Sequence, residues 1–149
     1  MPFAALAFAQ IDAAGNVNVS RFGSANPGAG GFIDIAHNAK RLVFAGTLTT
    51  AGLDIDCSDG RLRIRREGKV RKLIDQADDI TYRLRDGVSE RGQQALVITE
   101  RAVFDVTAEG LKLTEIAPGV DIRRDVLDLV GFAVPVSEQL STWDASLLR

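Results

Sequence analysis

The chain has 149 residues, 46% of them apolar, and a nearly balanced charge (formal net −2), the makeup of one soluble domain or a piece of a larger one. It shows no basic excess of the kind a nucleic-acid binder carries, no apolar run long enough to cross a bilayer, and no basic start of a secretion signal in Met1-Pro2-Phe3-Ala4-Ala5. A single cysteine, Cys57, excludes an internal disulfide and fits a reducing compartment, so a cytoplasmic location is expected.

In chain order, residues 3–11 are apolar on both alternating faces (Phe3, Ala5 and Ala7 against Ala4, Leu6 and Phe8), which predicts a strand buried on both sides. Residues 12–16 form a turn, and Val17 and Val19 alternate with Asn16, Asn18 and Ser20 as a return strand. After a glycine-dense stretch, Phe32, Ile33, Ile35 and Ala36 mark a short helix, and residues 42–45 a short strand. Around Asp59-Gly60, a two-residue hairpin loop pairs Cys57 with Leu62, Asp56 with Arg63, Ile55 with Ile64 and Asp54 with Arg65. Apolar then meets apolar and acid meets base. The arginines are thereby read as a solvated hairpin face, and Cys57 as a core thiol.

Residues 70–74 and 80–84 continue as short strands, 89–94 as a loop or single helical turn, and 95–98 as a buried strand. Residues 103–106 and 111–116 form a second hairpin around Ala108-Glu109-Gly110, and Pro118-Gly119 turns the chain. Asp121 caps a helix with apolar positions Ile122, Val126, Leu129 and Val130. Residues 137–149 carry Trp143 but little periodicity, as a tail or a segment docking on a partner would.

Few residues offer catalytic chemistry. One His and one Cys do not make a metal site, and none is expected. His37, near the end of the short helix, reads as a capping cation. There is no G-x-S-x-G. The loop Gly28-Ala29-Gly30-Gly31 leaves two readings open. Its bare amides can hold an oxyanion or a phosphate, or glycine serves only a tight turn into the helix. It is not a G-x-G-x-x-G and lacks the lysine of a P-loop.

Three stretches together are more specific. GNVNVSRFG (residues 15–23), GAGGFIDIAHNAKRLVFAGT (28–47) and ITERAVFDVTAEGLKLTEIAPGVDIRRDVL (98–127) resemble, in order and spacing, the C-terminal part of the family I coenzyme A transferases. The likeness is strongest to the single-chain acetate/propionate-type acyl-CoA:carboxylate enzymes, and looser to β subunits of 3-oxoacid CoA-transferases. It covers about residues 5–134. It implies an α/β fold of the NagB/RpiA/CoA-transferase type: a mixed open sheet with short flanking helices and β-hairpins. Here the domain is incomplete, with residues 1–136 as the C-terminal portion of a β-type domain and 137–149 as a C-terminal tail.

The resemblance also implies ping-pong chemistry. A glutamate attacks an acyl-CoA thioester, and coenzyme A, a substrate and not a bound cofactor, passes through a glutamyl thioester to a second carboxylate. Gly28, Gly30 and Gly31 match the family's oxyanion and CoA-side loop. The family's nucleophilic glutamate lies upstream of that loop, whereas no glutamate occurs here before Glu67. Glu67-Gly68 lies on the wrong side of the loop, and Glu100 matches a position read as structural. The chain alone therefore has no expected nucleophile. It requires an N-terminal half or a subunit to act on acyl-CoA and carboxylate, in a homo- or hetero-oligomer without nucleic acid or membrane. The rival expectations are a noncatalytic remnant that folds and self-associates, and a β-rich ligand-binding module of accidental likeness.

Overall fold

The computed structural model describes residues 3–18, 36, 38–77 and 82–148. Its central feature is a six-stranded mixed sheet in the order β1 (Phe3–Ala7), β4 (Arg41–Ala45), β11 (Gln94–Ile98), β12 (Ala102–Thr107), β13 (Gly110–Ile116) and β14 (Val136–Thr142). β1, β4 and β11 run parallel, β12 and β13 continue antiparallel, and β14 lies parallel to β13. Beside it stands a four-stranded sheet ordered β10 (Tyr82–Arg83), β3 (Asn16–Asn18), β2 (Gln10–Asp12) and β9 (Leu73–Ile74). Two ribbons, β5 (Thr49–Thr50) with β8 (Val70–Arg71) and β6 (Asp54–Ser58) with β7 (Arg61–Arg66), complete the strands.

The core lies against one face of the large sheet. Register aligns Leu6, Phe44, Val97, Phe104 and Leu113 in one row across five strands, and the last four are fully buried. Burying a large apolar side chain is worth about 1.5–3 kcal/mol, so this row anchors the sheet. The opposite face carries Phe3, Ala5, Val43 and Leu96, with Phe3 53% and Leu96 36% exposed. β1 is thus buried on one face only, not on two. It occupies the sheet edge, and Ala5 and Ala7 lie on its exposed side.

The first hairpin pairs Cys57 with Leu62, Asp56 with Arg63 and Ile55 with Ile64 as expected. A bulge then moves Asp54 opposite Arg66, not Arg65. Cys57 is exposed and not a core thiol. In β7, Leu62 packs on Ala117 and Leu148, and its amide donates to Pro118 O at 2.7 Å.

Where a strand over 80–84 and a loop or single helical turn over 89–94 were expected, residues 84–91 build helix α1 (Leu84–Arg91), closed by Gly92 in the left-handed conformation at φ 67°. Asp121 caps α2 (Ile122–Asp125), accepting a 2.8 Å hydrogen bond from the Arg124 amide, and a 3₁₀ turn follows at Leu127–Leu129. Residues expected as a tail supply strand β14, after which Trp143 and Leu148 pack beside the first hairpin. Most of the expected helix at 32–36 lies outside the described residues. No helix among the described residues is long and apolar enough to cross a membrane.

Candidate functional site

Parallel strands deliver their carboxyl ends to one side of a sheet, where α/β folds place ligands. Here β1, β4 and β11 end together, and the chain runs on into Phe8, Gly46 and the Thr99–Ala102 turn. The Gly46 amide donates to Ile98 O at 3.1 Å, tying the second end to the third. In the turn the Thr99 hydroxyl donates to Ala102 O (3.0 Å) and accepts from the amides of Arg101 (3.3 Å) and Ala102 (3.0 Å). This fixes Glu100 and Arg101.

Arg101 is completely buried. Its Nη1 and Nη2 donate to the two Glu67 oxygens at 2.6 and 2.8 Å, a bidentate fork. Nη1 also donates to Asp125 O (3.0 Å), and Nε to Glu100 Oε2 (2.7 Å). Glu100 Oε1 accepts from the Leu48 amide at 2.7 Å. Glu67 further accepts from the Thr49 hydroxyl and the Gly68 amide. One guanidinium thereby joins the segments after β4, β7 and β11 to α2. Burial by itself would raise the Glu67 carboxyl. The hydrogen bonds from Arg101 and Thr49 and the Arg101 charge outweigh it and hold Glu67 below the usual carboxylate range. Burial likewise opposes the Arg101 charge, but the bonds to Glu67 and Glu100 keep the guanidinium firmly protonated.

Lys72, 9% exposed, comes from the segment joining β8 to β9, where its carbonyl accepts from the Ile11 amide at 2.9 Å. Its ammonium lies 4.2 Å from the centre of the Phe8 ring. A Cβ at Gly46 would stand 2.8 Å from Lys72 Nζ and 3.1 Å from the Phe8 ring, so glycine leaves room for that approach. Burial pushes the ammonium below the ordinary lysine value, and the negative field of Glu100 offsets part of the shift.

Gly28, Gly30, Gly31 and His37, singled out from sequence, lie outside the described residues. The described chain reaches Asn18, whose carbonyl accepts from the Ala9 amide at 2.8 Å, two residues past the end of β1. It is described again at Ala36, whose carbonyl accepts from Gln93 Nε2 at 2.7 Å. Among the described residues no three His, Cys, Asp or Glu groups gather as a metal would require. Sequence reasoning passed over Lys72 and the ion network. The partners Glu67 and Arg101 are 34 positions apart, and no local pattern announces such a pair.

No family model matches the chain. It is 44% identical over 142 residues to acetate CoA-transferase YdiF of Escherichia coli strain K12, a match covering 95% of this chain and 27% of that protein. The chain is a partial CoA-transferase. Caffeate CoA-transferase of Acetobacterium woodii is 38% identical over 149 residues, covering 97% of this chain and 28% of the relative. The structure of the Escherichia coli O157:H7 acyl-CoA transferase YdiF as a thioester complex with CoA superposes on all of this chain with a TM-score of 0.91 at 41% identity. The chain spans only 29% of that structure's chain. The α/β mixed sheet with few helices is therefore a CoA-transferase fold.

Proposed function

We propose that this chain supplies the oxyanion and CoA-side portion of an acyl-CoA:carboxylate CoA-transferase site, completed by a glutamate from polypeptide outside this sequence. The observation that carries the reading is the 44% identity across 95% of the chain, joined to the absence of any glutamate before Glu67. The two described carboxylates at the strand ends do not substitute, because Glu67 and Glu100 are both held by Arg101. A nucleophilic carboxylate needs a free oxygen aimed at the thioester.

In this reading the incoming glutamate attacks the acyl-CoA carbonyl carbon and the carbon–sulfur bond breaks. An acyl-glutamyl anhydride and CoA thiolate result. The thiolate attacks the glutamyl carbonyl and releases the first carboxylate, leaving a glutamyl-CoA thioester, and a second carboxylate then takes the CoA by the reverse steps. The amides of the loop carrying Gly28, Gly30 and Gly31, with Gly30 and Gly31 as the principal donors, hold the thioester oxygen as it gains charge. Such a donor contributes about 3–4 kcal/mol to the transition state. The single cysteine fits a reducing, cytoplasmic setting.

One observation favours a second reading, a noncatalytic protein that self-associates: among the described residues β1 is the edge strand of the large sheet, and Phe3 and Leu96 are 53% and 36% exposed on one face of it. An exchange assay with acetyl-CoA and labelled propionate separates the two. The transferase reading expects no exchange by the chain alone and exchange once polypeptide covering the remaining length of the relatives is added. Exchange by the chain alone refutes the external nucleophile; none in either case favours self-association. Borohydride reduction followed by intact-mass measurement locates any trapped glutamyl thioester.

A further inference from the structure

Lys72 stands apart from every other charged group at the strand ends. Glu67, Glu100 and Arg101 satisfy one another and nearby backbone groups. The Lys72 ammonium has nine-tenths of its residue surface buried, yet among the described residues no oxygen accepts a hydrogen bond from it. Its contacts are the face of Phe8 and the longer-range field of Glu100. A buried ammonium with unused donors is costly unless something supplies acceptors.

We propose that Lys72 is a carboxylate-binding residue, its ammonium taking the carboxylate of a short monocarboxylate whose alkyl part lies on the Phe8 ring. The pairing follows from what surrounds it. A single ammonium presents one positive charge and three donors, which suits a singly charged carboxylate better than a doubly charged phosphate. Phe8 offers an apolar surface beside the cation, which matches a short acid with one charged and one apolar end. Gly46 keeps the approach open, since a side chain there would press on both Nζ and the ring.

Carboxylate of this kind has two sources: a free acid, or a glutamyl side chain of the completing polypeptide. The inference rests on the transferase reading only for that choice of ligand, and binding can be measured without turnover. The chain has four lysines, Lys40, Lys69, Lys72 and Lys112, of which only Lys72 is buried. NMR of the unmutated chain carrying 13Cε-lysine should show one signal titrating below the others. Glu100 is the facing acid and Arg101 and Glu67 lie behind it, so protonation of Lys72 is the event read. Sodium propionate at constant ionic strength should shift that signal saturably and move its titration upward, while sodium chloride should not.

Lys72→Met should remove the signal and weaken propionate binding at least tenfold. Gly46→Ala, which retains the lysine, should weaken it less. N-acetyl-glutamic acid α-amide provides the second arm: tighter binding than propionate assigns the site to a protein glutamate, and weaker binding assigns it to the free acid. If neither carboxylate moves the buried lysine signal beyond the chloride control, the proposal is wrong, whatever the exchange assay gives.

Discussion

Two groups of acid–base pairs in this chain look alike in composition and differ in worth. On the first hairpin, Asp56 and Arg65 meet at 3.3 Å with the arginine side chain 61% exposed. At the strand ends, Arg101 meets Glu67 at 2.6 Å and Glu100 at 2.7 Å with its own side chain fully buried. Water screens the first pair and competes for its hydrogen bonds, so such a pair contributes about 0–1 kcal/mol. In the second the guanidinium is kept from water and joined by a backbone carbonyl, although the Glu67 side chain is itself 30% exposed. Removing one member strands the rest as uncompensated buried charge. Burial, and not the count of charges, separates decoration from structure here.

The largest expected effect follows from deleting the hub. Arg101→Met should destabilise the fold by about 3–5 kcal/mol in urea unfolding. A loss below 1 kcal/mol would put the buried network on a level with the hairpin. Glu67→Gln is next: it keeps the shape but loses the charge paired with the fork, and about 1–3 kcal/mol should go at neutral pH.

The same carboxylate sets a pH dependence. Its native value lies below the ordinary 4.5, so its stabilisation is complete above that pH and is lost as pH falls through the native value. Asp125 acts in the same direction from its ordinary 3.8, because burial, which raises it, is outweighed by the Arg124 hydrogen bond and the Asp121 amide. Melting temperature should therefore fall on acidification below about pH 4.5, more gently in Glu67→Gln. An identical acid profile in that variant would remove Glu67 from the account. The smallest effect is expected at the hairpin. Arg65→Ala should change stability by less than about 1 kcal/mol, and 1 M salt should erase the difference. A loss equal to that of Arg101→Met would break the contrast.

Where neighbours in sequence are neighbours in space, the sequence was legible. Asp59-Gly60 announced the first hairpin and three of its four named pairs, and the bulge at Asp54 displaced only the last. The Asp121 cap was legible for the same reason. β1 misled because apolarity on both faces records what a strand is suited to meet, whereas its place at the sheet edge leaves Phe3 and its neighbours exposed. β14 was missed because a mostly exposed edge strand, Val-Ser-Glu-Gln-Leu-Ser-Thr, has no need of strict alternation. The helix at 84–91 was missed because Arg85, Asp86 and Gly87 carry little helical apolar pattern, and its packing comes from Leu84 in the core and Val88 partly buried against it.

Sequence alone determined the local chemistry of turns and caps, the β-rich character of the chain and, through three ordered motifs, its kinship with the CoA-transferases. Those properties reside in residues a few positions apart, or in patterns a family shares. Tertiary structure alone decided which charges matter. It gathered Phe8, Gly46, Glu67, Lys72, Glu100 and Arg101 at the ends of three parallel strands, and it withdrew water from some of them. The energy of a charge depends on its surroundings in space, which arise only when distant segments pack.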